Sequence, residues 1–246
     1  MIVAYRFAIL FGLLAIWWAA AARLGPNVIP TPTATAEAAQ RLFADGRLVQ
    51  ALADSATVYL SGYSLAALVA IPVGLGMGAF GRLGKALEVY VYALSATPRV
   101  AFIPLVIVLL GLGVEAKVFI VFLGAVMPIL INTYAGVLAA DDDLIEMARS
   151  AGAGRLRIFL KIVLPGALPF VIAGLRLGAT IGLINTVVAE LYTAVRGLGG
   201  LLAVYGNTFR MAEYFVVVLT LAAVGVTVTE GLRMLEQRFA RWRQSR

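Results

Sequence analysis

The sequence predicts an all-α, polytopic membrane protein of about six transmembrane helices. Three observations carry that expectation. Hydrophobic side chains make up 62% of the 246 residues and charged ones only 13%, whereas a soluble domain runs about 45–50% apolar and about 25% charged. The apolar residues are gathered in uncharged runs of roughly 20, the length that crosses about 30 Å of hydrocarbon at 1.5 Å per residue. The basic residues fall mainly in alternate connections between those runs.

The spans can be drawn in order. The first covers about Phe7 to Ala22, between Arg6 and Arg23, with Trp17 and Trp18 placed for the interface. The others run over about Thr57 to Phe80, Val89 to Leu112, Val118 to Ala140, Gly166 to Ala194 and Tyr214 to Leu232. The fifth is long enough that part of it lies outside the lipid or tilts. Met1–Arg6, the apolar run and Ala19–Ala22 also fit a cleaved signal peptide, but the run is long for one and a multispan chain needs none, so a retained first helix is expected.

Charge fixes the expected orientation. With the N-terminus in the cytoplasm, twelve basic residues lie inside: Arg6, Arg82, Lys85, Arg149, Arg155, Arg157, Lys161, Arg233, Arg238, Arg241, Arg243 and Arg246. Six lie outside: Arg23, Arg41, Arg47, Lys117, Arg196 and Arg210. This asymmetry predicts a multi-pass protein with both termini cytoplasmic. The formal charge of +7 is thus a topology signal, and without an aromatic-interleaved basic patch no nucleic-acid partner is expected.

Several chemistries drop out. With no Cys and no His, disulfides, imidazole or thiolate metal sites, Cys nucleophiles and His-based triads are excluded. No catalytic, metal or cofactor site is expected. Glycine shows no collagen period, and Gly74, Gly76 and Gly78 lack the strand–turn–helix setting of a dinucleotide fingerprint, so close helix packing is their expected role. Gly174 and Gly178 form a small-xxx-small pair that suits intramolecular packing better than a dimer contact.

Two connections have structure of their own. The outer segment Leu24–Ala56 opens with Gly25, Pro26, Pro30 and Pro32, and residues from Thr35 through Leu52 suit a short amphipathic surface helix or a plain linker. The inner segment Asp141–Lys161 begins with three aspartates, which cap a helix start and suit its dipole. Leu144, Ile145, Ala148 and Ala151 recur at helical spacing, and Glu146 and Arg149 lie on a more polar side. Gly152 and Gly154 interrupt that helix, and Leu156, Phe159, Leu160 and Val163 mark the apolar side of a second stretch ending at Leu164-Pro165. A plain surface hairpin and a docking helix for a cytoplasmic partner both fit.

This segment resembles the cytoplasmic EAA loop of permeases from binding-protein-dependent ABC importers. Glu146, Ala148, Gly152, Ile162, Leu164 and Pro165 stand at the matching spacing, with Met147 in place of the middle alanine. The stretch Ala96–Leu105 followed by Gly111-Leu112-Gly113, and Val187–Glu190 followed by Gly197-Leu198-Gly199, resemble the nitrate/sulfonate/taurine branch. The resemblance implies that residues 1–246 form one transmembrane permease domain, with 141–161 as the coupling loop. It implies a second permease copy, an ABC ATPase in two copies and an extracytoplasmic solute-binding protein. The setting would be the lipid of a bacterial cytoplasmic (inner) membrane. Glu146, Met147, Ala148, Arg149 and Gly152 become the ATPase-docking residues, and Ile162, Leu164 and Pro165 the loop end. ATP hydrolysis belongs to the partner, in keeping with the lack of a G-x-x-x-x-G-K-[ST] run. The solute would be a small anion.

Polar groups within spans are costly against lipid and become candidates for the translocation path. Glu190 leads them. Thr186 lies one turn earlier on the same face and Asn185 beside it, and Asn132, Thr133 and Arg176 complete the set. For each, satisfied packing within the bundle is the competing role. A secondary transporter, an intramembrane enzyme and a non-transporting scaffold are the competing classes. No inverted repeat supports the first, and no second membrane carboxylate pairs with Glu190 to support the second.

Overall fold

A computed structural model describes residues 2–193 and 196–240, with side chains over 4–193 and 196–234. Eleven α-helices are described, α1 Ile2–Leu24, α2 Pro32–Ala44, α3 Arg47–Ala79, α4 Gly81–Ala96, α5 Ile103–Leu110, α6 Val114–Leu138, α7 Asp142–Ser150, α8 Arg155–Ile158, α9 Leu164–Thr193, α10 Leu198–Asn207 and α11 Met211–Ala240. Among the described residues, five helices are long and apolar enough to cross a membrane, and a bent pair brings the number to six when it is counted as one span. Arg241, Arg243 and Arg246 of the inside basic set, and Ala194 at the end of the fifth span, lie outside the described residues, as does the side chain of Arg238.

The third span is not the straight helix drawn from the sequence. Its halves, Gly81–Ala96 and Arg99–Leu110, meet at 81°. Pro98 causes the break, because a residue ahead of proline is pushed out of the helical region. Thr97 is accordingly extended (φ −74°, ψ 131°). A single 3₁₀ turn, Arg99–Phe102, leads into α5.

Other boundaries also move. The stretch expected as one surface helix from Thr35 through Leu52 divides at Gly46, whose φ of +73° ends α2. Thr31 caps α2 by accepting the Ala34 N–H at 3.2 Å, and Pro32 fits the first turn, where no N–H is needed. From Arg47 onward the chain is already α3, one helix of 33 residues. Lys117, counted with the outer loop, lies in the first turn of α6 and is buried. Leu164-Pro165 does not end a surface element, since helix continues from Arg155 to Thr193.

The described chain forms two units. One comprises Met1–Thr57 and Glu190–Val224. Within it Trp17 donates to the Pro30 carbonyl at 2.9 Å and stacks on Phe215 at 5.8 Å. Arg210 pairs with Glu213 at 2.6 Å and lies 5.0 Å from the centre of the Tyr205 ring. That hydrogen bond to Glu213 raises the already high pKa of the Arg210 guanidinium.

The other unit comprises Val58–Ala189 and Gly225–Arg246. Its axis is α6, whose Ile129, Ala125, Val126 and Leu130 are buried with Ala66, Ala70 and Met77 of α3. Small residues let the backbones approach, as membrane helices require where burial supplies little drive. A Cβ at Gly62 would lie 2.6 Å from Val121 Cβ, and one at Gly74 would lie 2.8 Å from Thr133 Cβ. On α9, Gly174 meets Asn132 and Gly178 meets Ile129, so this small-xxx-small pair packs within the chain. Tyr59 and Tyr63 stack at 5.7 Å and donate to the carbonyls of Ala179 and Leu175.

Candidate functional site

The charged segment after α6 folds into a short helix closed at both ends. The Asp141 carboxylate accepts the N–H groups of Asp143 at 3.0 Å and Leu144 at 3.2 Å, occupying donors that a helix start leaves free. At the other end Gly152 is left-handed (φ +80°). Its N–H bonds the Arg149 carbonyl at 2.9 Å, and the Ala153 N–H bonds the Ala148 carbonyl at 2.9 Å. This pair of bonds is the Schellman closure, in which glycine is favoured because it alone enters that region freely.

The two faces of α7 have separate jobs. Ile145 and Ala148, together with Ala153 just beyond the helix, pack against the buried cluster of Val137, Ile158, Val163 and Ala167. Glu146, Met147 and Arg149 face outward. Leu144, expected on the apolar side, is 44% exposed, and Met147 is 63% exposed one turn further on. Ala148, grouped with the docking residues, is thus half-buried and seats the helix.

Beyond Gly154 the register also differs from expectation. Ile158 and Val163 are buried and Ile162 half-buried, whereas Leu156 and Leu160 are exposed. A π-turn over Phe159–Val163, in which the Leu164 N–H reaches the Phe159 carbonyl, inserts an extra residue and rotates the face from there on, whereas Leu156 is already exposed ahead of it. It lies directly ahead of Pro165, whose missing N–H interrupts the ordinary ladder. Leu164 is half-buried and Pro165 exposed.

The span candidates separate by what holds them. Thr133 and Thr186 are buried and donate to the carbonyls of Ile129 and Gly182, one turn back on their own helices. Asn132 and Asn185 do likewise with Pro128 and Ile181, each at 2.8 Å. Asn132 and Arg176 are half-buried. Asn185 lies against Gly124, where a Cβ would come 2.5 Å from its Nδ2. The carbonyl of Gly124 accepts from Arg99 Nη1 at 3.2 Å.

Glu190 is fully buried in the other unit. Ser55 Oγ stands 2.8 Å from both of its carboxylate oxygens, and Gly199 N–H donates to Oε2 at 2.8 Å. Ser55 Oγ also accepts the Leu198 N–H at 2.8 Å. Leu198 and Gly199 open α10, a helix absent from the spans and loops expected of the sequence, and its N-cap Gly197 brings no side chain. The side chains of a serine and a glutamate from elsewhere in the chain therefore cap α10. Sequence reasoning missed Ser55 altogether, because nothing local links it to a partner 135 positions away.

Among the described residues no group of three or more acidic side chains is placed to hold a metal ion. Long apolar helices with a short, charged helix between two of them define a multi-pass helical membrane protein. More narrowly, the chain belongs to the family "Binding-protein-dependent transport system inner membrane component", whose model matches residues 69–241. It is 34% identical over 235 residues to a putative aliphatic sulfonates transport permease protein of Escherichia coli (strain K12), covering 94% of this chain and 89% of that one. It is 31% identical over 237 residues to the taurine transport system permease protein of the same organism, covering 94% and 86%. Its fold matches a solved inward-facing MetNI methionine ABC transporter, with a TM-score of 0.66 over 76% of this chain and 93% of that one, at 18% identity. The chain is the membrane permease subunit of an ABC importer, and the family architecture implies an ATPase and a solute-binding protein as partners.

Proposed function

We propose that this permease imports a small organic anion, of the sulfonate or taurine type, across a bacterial cytoplasmic membrane. The named transport roles of its relatives support the solute class. The pore is a homodimer of this chain. Both termini and α7 face the cytoplasm, in line with the basic residues of the inner connections. An extracytoplasmic binding protein delivers the solute, and two ATPase subunits dock below, one on each α7.

The exposed face of α7 carries this reading. Leu144 and Met147 leave an apolar pair uncovered between Glu146 and Arg149, on a helix fixed at both ends and seated by Ile145 and Ala148. A partner that grips this face moves a rigid lever. Closure of the ATPase pair on ATP pulls α7 and, through the continuous helix from Arg155 to Thr193, transmits the movement into the fifth span. Residues 141–161 act as the coupling loop, with Ile162, Leu164 and Pro165 at its end and Gly152 setting its turn. Asn132 and Arg176 are the path-lining candidates, with Asn185, Thr133 and Thr186 buried behind them, and Glu190 contributes by positioning α10.

The test is reconstitution in proteoliposomes with the cognate ATPase and binding protein. ATP-driven uptake of labelled taurine or hexanesulfonate is expected. The chain has no native cysteine, so a Met147→Cys variant reports contact cleanly, and it should crosslink to the ATPase. Uptake without ATP would favour a secondary transporter. An ATPase that binds but responds to no solute would favour a scaffold.

A further inference from the structure

We propose that Arg99 is a specificity-determining residue of the translocation path. Its guanidinium, anchored on Gly124 beside Asn185, binds the anionic headgroup of the solute in transit. This rests on the anionic reading above and adds the residue that recognises the charge.

The anchor follows from the sequence of α6. Pro128 has no N–H, so it cannot bond the carbonyl four residues earlier, and that carbonyl belongs to Gly124. A freed backbone acceptor inside a membrane must find another donor. Arg99 Nη1 supplies it at 3.2 Å. The missing side chain of Gly124 leaves the space that Asn185 occupies. Proline, glycine, asparagine and arginine thus converge on one peptide unit.

The depth of that unit makes the charge informative. Gly124 lies ten residues into a spanning helix of 25, about 15 Å from its start and so near its middle. A cation at such depth is expensive, and such cations mark ion or solute paths. The bond to Gly124 engages one of the five guanidinium N–H groups. Among the described residues no carboxylate pairs with Arg99. The side chain is only half-buried, so its remaining donors are reachable. A fixed guanidinium fork matches two oxygens of a sulfonate or carboxylate. A mobile anion is then the missing counter-charge. Thr133 and Thr186 have no such capacity to spare, since both are buried and donate to their own helices.

The test uses the full permease–ATPase complex in proteoliposomes with its binding protein, and labelled hexanesulfonate and taurine as probes. Arg99→Gln should lower sulfonate uptake at subsaturating concentration about tenfold or more, the loss of a charge-assisted pair. Arg99→Lys should recover part of it, keeping charge without the fork. Pro128→Ala gives a control that preserves the helix: the backbone N–H it restores reclaims the Gly124 carbonyl, loosens Arg99 and should reduce uptake about threefold. Wild-type sulfonate uptake retained in both Arg99→Gln and Pro128→Ala would overturn the assignment while leaving the anionic reading standing. A wild-type complex that moves an uncharged solute and neither sulfonate would overturn both.

Discussion

Ser55 and Glu190, 135 positions apart in the chain, meet side chain to side chain at 2.8 Å and together cap α10. The pair works as a unit because Ser55 donates to the carboxylate and accepts the first free N–H of the helix, while the carboxylate accepts the second. Removing Ser55 leaves the Leu198 N–H buried without its acceptor, and an unmet buried donor costs about 1–3 kcal/mol. Ser55→Ala should therefore lower the thermal midpoint of the purified permease in detergent. Glu190→Ala should lower it further, since it removes a charge-assisted acceptor and opens a cavity. Glu190→Gln should lie between wild type and Glu190→Ala, because its amide oxygen still accepts from Gly199. Equal midpoints for all three variants and the wild type would remove the capping role.

Gly197 tests the same junction from the backbone side. It combines φ +93° with a position where a Cβ would run into the Glu190 carboxylate. Gly152 is also left-handed, at φ +80°, but a Cβ there meets nothing within 4 Å. Gly152→Ala should cost only the backbone strain, about 1–2 kcal/mol. Gly197→Ala adds a clash with a fully buried group and should reduce the yield of monodisperse protein far more. The ordering of the two is the measurement, and the reverse ordering would contradict the geometry.

These contrasts show what the residues reveal and what they withhold. The spans were legible because apolar runs of the right length have few alternatives in lipid, and the ends of α7 were legible because Asp141 and Gly152 act on their own neighbours. The bend at Pro98 was written in the sequence, since Thr97-Pro98 forces an extended residue, yet apolar composition on both sides concealed it. Helix α10 was not legible. Its Gly197-Leu198-Gly199-Gly200 opening reads as loop, and its caps come from Ser55 and Glu190, which only the folded chain brings together. The rotated register beyond Phe159 escaped for a related reason: a π-turn changes the period on which helical-face reading depends.

The division of α7 into a seating face and an outer face separates docking from folding. Leu144→Asp with Met147→Asp changes two exposed side chains and should leave the thermal midpoint of the permease within about 0.5 kcal/mol equivalent, as surface changes usually do. ATPase affinity, measured by pull-down titration, should fall about tenfold or more as apolar contacts at the interface centre are lost. Ala148→Asp should show the opposite pattern, because it drives a charge toward the cluster of Val137, Ile158, Val163 and Ala167. An outer-face double variant that binds the ATPase normally would mean that the partner grips elsewhere.

The ends of α7 bear on coupling rather than on binding alone. With nine residues, α7 is too short to persist on its own propensity, so its caps and its seating must hold it. Asp141→Ala removes the acceptor for the Asp143 and Leu144 N–H groups and should cost about 1 kcal/mol of local helix stability. Gly152→Asn should be milder than Gly152→Ala, since asparagine tolerates the left-handed region better. Hydrogen exchange over residues 142–150 should accelerate in Asp141→Ala and Gly152→Ala and change little in Gly152→Asn. If α7 transmits the ATPase movement as a rigid lever, the frayed variants should keep ATP hydrolysis and lose solute uptake in proportion to the local exchange rate. Uptake that stays in step with hydrolysis despite faster exchange would show that force enters the membrane helices by another route.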